Sequence, residues 1–265
     1  MPFEEVKNDQ AFAKVGFLGL NGSGKTFTAT EMAIGLHLDL VSKGIIPADP
    51  PVYQQDTATG RTWIKPKYEA AGIRFFASNE DTLNSLCKNM DLVAEQQGIM
   101  VIDSLTHFWE KLCRDYAEKM RRQKLYMDDW RAIKDLWKTN FTQRFVHNRA
   151  HYIICGRQGY EYETTTNEEG KKTTERSSLK MKAESESGYE PSLLIVMERH
   201  EKLKTSGKLN DVWREAYILK DRSFTIDGKS FKNPTYEDFR PHFAKLNLGG
   251  EHSVPVLQAN NYSLI

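Results

Sequence analysis

Short apolar runs alternate with longer stretches of helical periodicity along this chain, and that alternation predicts a parallel sheet with helices between its strands. Strands are expected at AKVGFLGL (Ala13–Leu20), Pro51–Gln55, IRFFAS (Ile73–Ser78), GIMVID (Gly98–Asp103), HYIICGRQ (His151–Gln158) and PSLLIVMER (Pro191–Arg199). WREAYILKDRSFTIDGKSF reads as a further strand and a turn at Asp227-Gly228. Helical patterns follow at Lys25–Ser42, closed by Gly44, and then at Asp81–Gln97, Leu105–Arg122 and Met127–Asn148, with a short last one in TYEDFRPHFAKL. Ser78 with Asp81 has the spacing of a capping box for the second helix. IIPADPPVYQQDTATGRTW reads as a Pro-rich loop containing one strand, and Gly159–Pro191 as a polar, mobile hairpin turning at NEEG. The apolar stripe Leu105, Phe108, Trp109, Leu112, Cys113 is a helix face for the core or a subunit contact. The expected architecture is one α/β domain over residues 1–248, a mostly parallel sheet with helices on both faces, and a tail over 249–265.

The first strand and helix enclose GLNGSGKT, Gly19 to Thr26. Gly19-x-x-x-x-Gly24-Lys25-Thr26 satisfies the phosphate-loop pattern. Gly22 and Gly24 let the backbone turn so that successive N–H groups meet one anion. Lys25 offers a compact charge to β- and γ-phosphates, and the Thr26 hydroxyl is a candidate Mg²⁺ ligand. Asn21, Ser23 and Phe27 complete the candidate nucleotide-binding segment. A strand, a glycine loop and a helix N-terminus together form an anion site. The second chemical motif is IMVIDS: four apolar residues make a buried strand that ends in Asp103. A phosphate-loop enzyme needs such a carboxylate beside the loop to hold the water shell of Mg²⁺.

Composition narrows the classes. The chain has 265 residues, and 37 Lys and Arg balance 36 Asp and Glu for a formal charge of +1, so bulk charge does not mark a nucleic-acid binder. No apolar run reaches the roughly 18 residues that span a bilayer, and MPFEEVKNDQ lacks the apolar core of a signal peptide. Cys87, Cys113 and Cys155 have no metal-like or paired spacing, as expected of reduced core thiols in a cytoplasmic protein. The histidines show no ligand-like clustering, and His151, at a strand start, reads as structural.

The order of a phosphate loop, Asp-Thr near a strand end, four apolar residues before Asp-Ser, a strand ending in a polar residue, and a late strand ending in Lys-x-Arg resembles the RecA-like ATPases. VIDS, CGRQGYEYE and ILKDRSFTIDG bring the chain closer to the small phage-encoded RecA-like ATPases of the Sak type, which serve as single-strand annealing proteins. The resemblance runs from about Phe12 to Leu246. It implies ATP and Mg²⁺ as cofactors and self-assembly with nucleotide at subunit interfaces. It further implies action on single-stranded DNA in phage recombination, a possible single-strand binding protein as partner, and location in the host cytoplasm.

Carried onto this chain, the resemblance places Arg157 and Gln158 near the γ-phosphate. The loop that follows would face nucleic acid, with Lys171, Lys172, Arg176, Lys180 and Lys182 as candidate phosphate contacts and Tyr160 and Tyr162 as stacking groups. Glu161, Glu163, Glu168, Glu169 and Glu175 nearly cancel that charge, so a solvated hairpin is the competing reading. Lys220 and Arg222 fall on one face of an extended strand and would reach a neighbour's nucleotide site as finger residues. One departure stands out. Where RecA-like enzymes often read Asp-Thr-Glu, this chain reads Asp56-Thr57-Ala58, and alanine neither takes a proton nor orients water. Hydrolysis is then slow, or another acid serves; Asp56 is nearest in sequence and Glu80 next. Two other classes stay open: an ATPase switch or loader acting on a protein partner, and a small-molecule kinase. Kinase lids usually carry several arginines, whereas this hairpin has Arg176 alone.

Overall fold

The run KVGFLG is apolar on both sides of the pleat, which suits a central parallel strand covered on both faces. It forms β1, Lys14–Gly19, in a computed structural model that describes residues 10–46, 49–166, 172–204 and 209–250. Val15 and Phe17 point to one face and Leu18 to the other, and all three are buried. The chain continues through α1 (Lys25–Ser42), β2 (Val52–Asp56), α2 (Arg61–Ala70), β3 (Phe75–Ser78), α3 (Leu83–Glu95), β4 (Ile99–Asp103) and α4 (Leu105–Lys119). Then come α5 (Met127–Trp137), a π-helical turn at Lys138–Thr142, and α6 (Gln143–His147). The remaining elements are β5 (His151–Thr166), β6 (Lys172–Met181), β7 (Leu193–Leu203), β8 (Leu209–Asp221), β9 (Ser230–Lys232) and α7 (Tyr236–Phe243).

The strands form one sheet in the order β3-β2-β4-β5-β1-β7-β8-β9, with β6 paired to β5. From β3 through β7 every pairing is parallel, while β8, β9 and β6 run antiparallel to their neighbours. Helices α1, α2 and α7 cover one face, where Met32, Leu36, Ile64, Tyr68, Phe239 and Phe243 pack on Phe17, Val101, Ile153 and Ile195. Helices α3 to α6 cover the other, where Met90, Phe108, Trp137, Phe141 and Phe145 pack on Leu18, Ile102, Tyr152 and Ile154. The fold is therefore α/β, with a mostly parallel mixed sheet between two helical layers, as a RecA-like phosphate-loop core requires.

The pattern and the structure differ at three places. The pattern predicts loop through Trp63 and no helix from there to Ile73; α2 nevertheless forms despite Pro66 inside it, and Asp56 holds its start by accepting the N–H groups of Ala58 and Arg61 at 3.0 and 2.6 Å. The cap of α3 is Thr82, whose hydroxyl accepts the Ser85 N–H at 3.2 Å, not Ser78, which ends β3 and accepts from Glu80 N. The single helix expected over Met127–Asn148 is two α-helices joined by the π-turn. The stripe on α4 is core: Phe108 is buried, and Trp109 and Leu112 pack beside it. His151 is structural, its Nδ1 accepting the Ala13 N–H at 3.0 Å in a buried site. Residues 251–265 of the expected tail lie outside the described residues.

Candidate nucleotide-binding site

Parallel register brings the ends of β1, β2 and β4 level with residues of β5 and β7, two strands that run on past them. Gly19 of β1 aligns with Arg157 of β5 and Met197 of β7, Asp103 of β4 with Cys155 of β5, and Asp56 of β2 with Asp103. One strand, β5, stands between the loop strand and the Asp103 strand. A cavity of about 500 Å³ is lined by Gly19, Leu20, Asn21, Lys25 and Thr26 from the loop and the start of α1, by Ala58, Asp103, Ser104 and His107 after β2 and around the end of β4, and by Arg157, Gln158 and Lys182 from β5 and the residue after β6.

The loop has the form an anion needs. Gly22 and Gly24 adopt φ of 73° and 95°, which side chains rarely accept. At Gly19 a β-carbon would stand 2.3 Å from the Met197 carbonyl oxygen and 2.7 Å from Ser23 Oγ, so the strand must end in glycine here. α1 begins directly after Gly24 with no side-chain cap and no acid in its first turn. Its first N–H groups and the positive end of its dipole therefore face the cavity unneutralised. The Lys25 ammonium folds over the loop, donating to Gly19 O at 2.9 Å and Leu20 O at 2.8 Å. Burial holds the Lys25 pKa below the ordinary lysine value, against the opposing pull of Asp103.

Thr26 Oγ1 donates to Asp103 Oδ2 at 2.5 Å, joining residues 77 apart in sequence. Burial raises the Asp103 pKa, the Thr26 hydrogen bond lowers it, and Asp56 raises it again. Beside this pair the buried Ser104 hydroxyl has no hydrogen-bond partner. A carboxylate, a threonine hydroxyl and an unpaired serine hydroxyl form a hard oxygen set that suits Mg²⁺ with its waters and substrate phosphates. No group of three or more His, Cys, Asp or Glu among the described residues could hold a metal by itself. Mg²⁺ bound jointly with phosphates does not require one.

Other candidates fall into place around this pair. Arg157 and Gln158 both line the cavity. Phe27 lies outside it, exposed on a neighbouring hollow of about 310 Å³ with Arg214 and Pro234. Asp56 is buried, with both carboxylate oxygens engaged by the backbone of the following turn, so its geometry is that of a cap. Glu80 does not line the cavity; its carbonyl accepts from Gln55. Lys182, expected to contact nucleic acid, also lines the cavity, because β6 returns alongside β5 and Lys182 N donates to Arg157 O at 2.8 Å. Lys180 lies on the same return strand opposite Gly159. Lys172 and Arg176 lie on β6 with side chains outside the described ones, and Lys171 is outside the described residues altogether.

Lys220 and Arg222 do share a face: both donate to the Tyr189 carbonyl, at 2.5 and 3.1 Å. They stand at the opposite edge of the sheet from the loop, since Lys220 pairs with Leu194 near the start of β7. Val15, next to Leu193, is four residues before Gly19, which sets the two edges at least about 13 Å apart along the strands. Between the cations, Asp221 turns inward and is buried against His242.

His107 was not singled out by sequence. Its Nδ1 lies 2.7 Å from Thr57 Oγ1 and its Nε2 2.8 Å from Arg157 Nη2. Arginine has no acceptor, so Nε2 accepts and the proton sits on Nδ1, directed at Thr57. Thr57 Oγ1 also accepts from Ser104 N at 3.0 Å. One ring thus ties the end of β2 to the middle of β5, with the end of β4 held through Thr57.

The cavity combines an uncapped helix end, a hydroxyl–carboxylate pair and the cations Lys25, Arg157 and Lys182, an arrangement suited to a polyphosphate. No protein-family model matches the chain, and no curated protein matches it.

Proposed function

We propose that the chain is an ATP- and Mg²⁺-dependent phosphate-loop ATPase. The observation that carries this reading is the Thr26–Asp103 pair at the uncapped N-terminus of α1. The glycine loop and the α1 N–H groups would cradle the phosphates, and Lys25 would leave its carbonyl partners for the β- and γ-oxygens. Thr26 and Asp103 would hold Mg²⁺, with Ser104 Oγ available to its waters. Bound there, Mg²⁺ would offset charge on the phosphates during transfer. Ala58, where a carboxylate would stand, leaves basal turnover low.

We further propose, from the resemblance to the Sak-type RecA-like proteins, that the chain assembles with itself and acts on single-stranded DNA in recombination. β5 runs without a break from the core through Arg157-Gln158 into the β5–β6 hairpin, a direct mechanical path from a γ-phosphate to a DNA-facing segment. The alternative is an ATPase switch or loader that engages a protein partner without touching DNA, favoured by the near-balance of charge in that hairpin. ATP turnover measured with and without single-stranded DNA separates the two. The DNA reading predicts stimulation that fades with salt as counterion release weakens. Equal rates, with no ATP-dependent DNA binding, would leave the protein-partner reading.

A further inference from the structure

The geometry points to His107 as the group that takes the proton from the attacking water, in the role that Ala58 leaves vacant. The inference rests on reading the cavity as an ATP site. His107 is half-buried and lines the cavity together with Ala58, Asp103, Arg157 and Lys182. Its ring is fixed at both nitrogens, by Thr57 at Nδ1 and Arg157 at Nε2. Thr57 is fixed in turn, accepting from Ser104 N at 3.0 Å and lying 3.3 Å from the Asp103 carbonyl. A neutral ring with its proton on Nδ1 and a hydroxyl behind it carries its lone pair on Nε2, and that nitrogen is the one a general base needs.

In the structure Arg157 covers that lone pair. A guanidinium bonded to a neutral imidazole has a weaker partner than a phosphate oxygen, which carries the opposite charge and accepts two parallel N–H bonds from arginine. Arrival of the triphosphate therefore draws Arg157 across to the terminal phosphate, with Lys182, the residue after β6, beside it. This exchange uncovers Nε2 only when substrate is present. The step balances as follows: the water oxygen bonds to the γ-phosphorus, and the bond to the β,γ-bridging oxygen breaks with its electron pair remaining on that oxygen. The water proton passes to His107 Nε2. Thr57 Oγ1 accepts the hydrogen bond from Nδ1–H throughout, the proton staying on the ring, and stabilises the imidazolium that results.

Two measurements test this. The first needs no turnover: ¹⁵N NMR of the imidazole in the full-length protein, free and with a non-hydrolysable ATP analogue. The expected spectrum shows the Nδ1–H tautomer in the free protein and a shift at Nε2 on adding the analogue, as Arg157 leaves. An Nε2–H tautomer, or an Nε2 resonance unmoved by saturating analogue, would overturn the assignment. The second is kinetic. His107→Ala and His107→Gln should bind ATP within about threefold of wild type but lose turnover by about 10²-fold or more, the usual range for a proton-transfer group. Added imidazole should restore part of the rate to His107→Ala. Turnover by either variant within threefold of wild type, or no imidazole rescue of a folded His107→Ala protein that binds ATP, would remove His107 from the chemistry. Wild-type protein that binds ATP but never hydrolyses it would also overturn the proposal. Wild-type protein that fails to bind ATP would instead defeat the nucleotide reading beneath it.

Discussion

Asp221 carries more of the fold than its place between two cations suggests, and Asp221→Ala measures how much. Its carboxylate accepts the backbone N–H groups of Ser223 at 2.8 Å, Thr225 at 3.0 Å and Ile226 at 2.9 Å, and lies 2.6 Å from His242 Nδ1. Burial alone would raise its pKa, but these bonds, from Ile226 N, Ser223 and His242 above all, hold it far below the usual carboxylate range. The Ser223 and Thr225 hydroxyls can turn to each other, 2.8 Å apart, so their loss counts for little. The Ile226 N–H and the fully buried His242 Nδ1–H cannot reach water. Each orphaned buried donor costs about 1–3 kcal/mol, so the variant should lose about 4 kcal/mol. That is a large part of the roughly 5–15 kcal/mol that stabilises a typical protein. Urea unfolding followed by circular dichroism should show the midpoint falling by more than about 1 M, with Asp221→Asn about half as affected. A loss under about 1 kcal/mol for Asp221→Ala would show that the turn after β8 holds without the carboxylate.

Lys220→Ala and Arg222→Ala should each leave ATP binding intact and cut turnover at least tenfold if the pair completes a neighbour's site; specific activity constant on dilution, with no rescue when Arg222→Ala and Lys25→Ala chains are mixed, would place the pair outside the chemistry. Basal turnover should lie below the enzyme median of about 10 s⁻¹, and Ala58→Glu should raise it; a brisk wild-type rate that collapses in Asp56→Asn would return the catalytic role to Asp56. His151, pushed down to about 3 by burial and then by the Lys14 charge, stays neutral in the fold. The unfolded chain therefore binds the extra proton between about pH 6.5 and 3, so stability is present above pH 6.5 and falls as pH drops through that window. Unfolding titrations between pH 4 and 7 should show this slope, at most about 1.4 kcal/mol per pH unit for this group, and a stability flat across the range would contradict it.

The sheet and the loop were legible because each rests on local signals. β1 and β4 are runs apolar on both pleat faces, and Gly19–Thr26 carries its own turn chemistry. α2 was not legible, since its start is held by Asp56, five residues before Arg61, and Pro66 argues against a helix. Ser78 has the right partner spacing for a cap, but it ends β3, and Thr82 is better placed. The π-turn at Lys138–Thr142 preserves enough apolar periodicity to read as continuous helix. At the site, Lys25, Thr26 and Asp103 could be named from motifs, whereas His107 could not. Its partners Thr57 and Arg157 are each 50 residues away, and only the parallel register of β2, β4 and β5 brings them to one ring. In the sequence Lys182 is only part of a polar hairpin, because nothing there shows that the chain leaving β6 returns to the cavity beside Arg157.

The central claim is that the loop at the start of α1 holds Mg·ATP. Calorimetric titration of wild type and Lys25→Ala with ATP, each with Mg²⁺ and with a chelator, tests it directly. Charge-assisted bonds from Lys25 are worth about 1.5–3 kcal/mol apiece, so the loss of two should weaken binding at least 100-fold in a variant that unfolds at the wild-type urea concentration. Mg²⁺ should tighten wild-type binding through Thr26 and Asp103. Lys25→Ala binding ATP as tightly as wild type, or wild type taking up no ATP at all, would contradict the account.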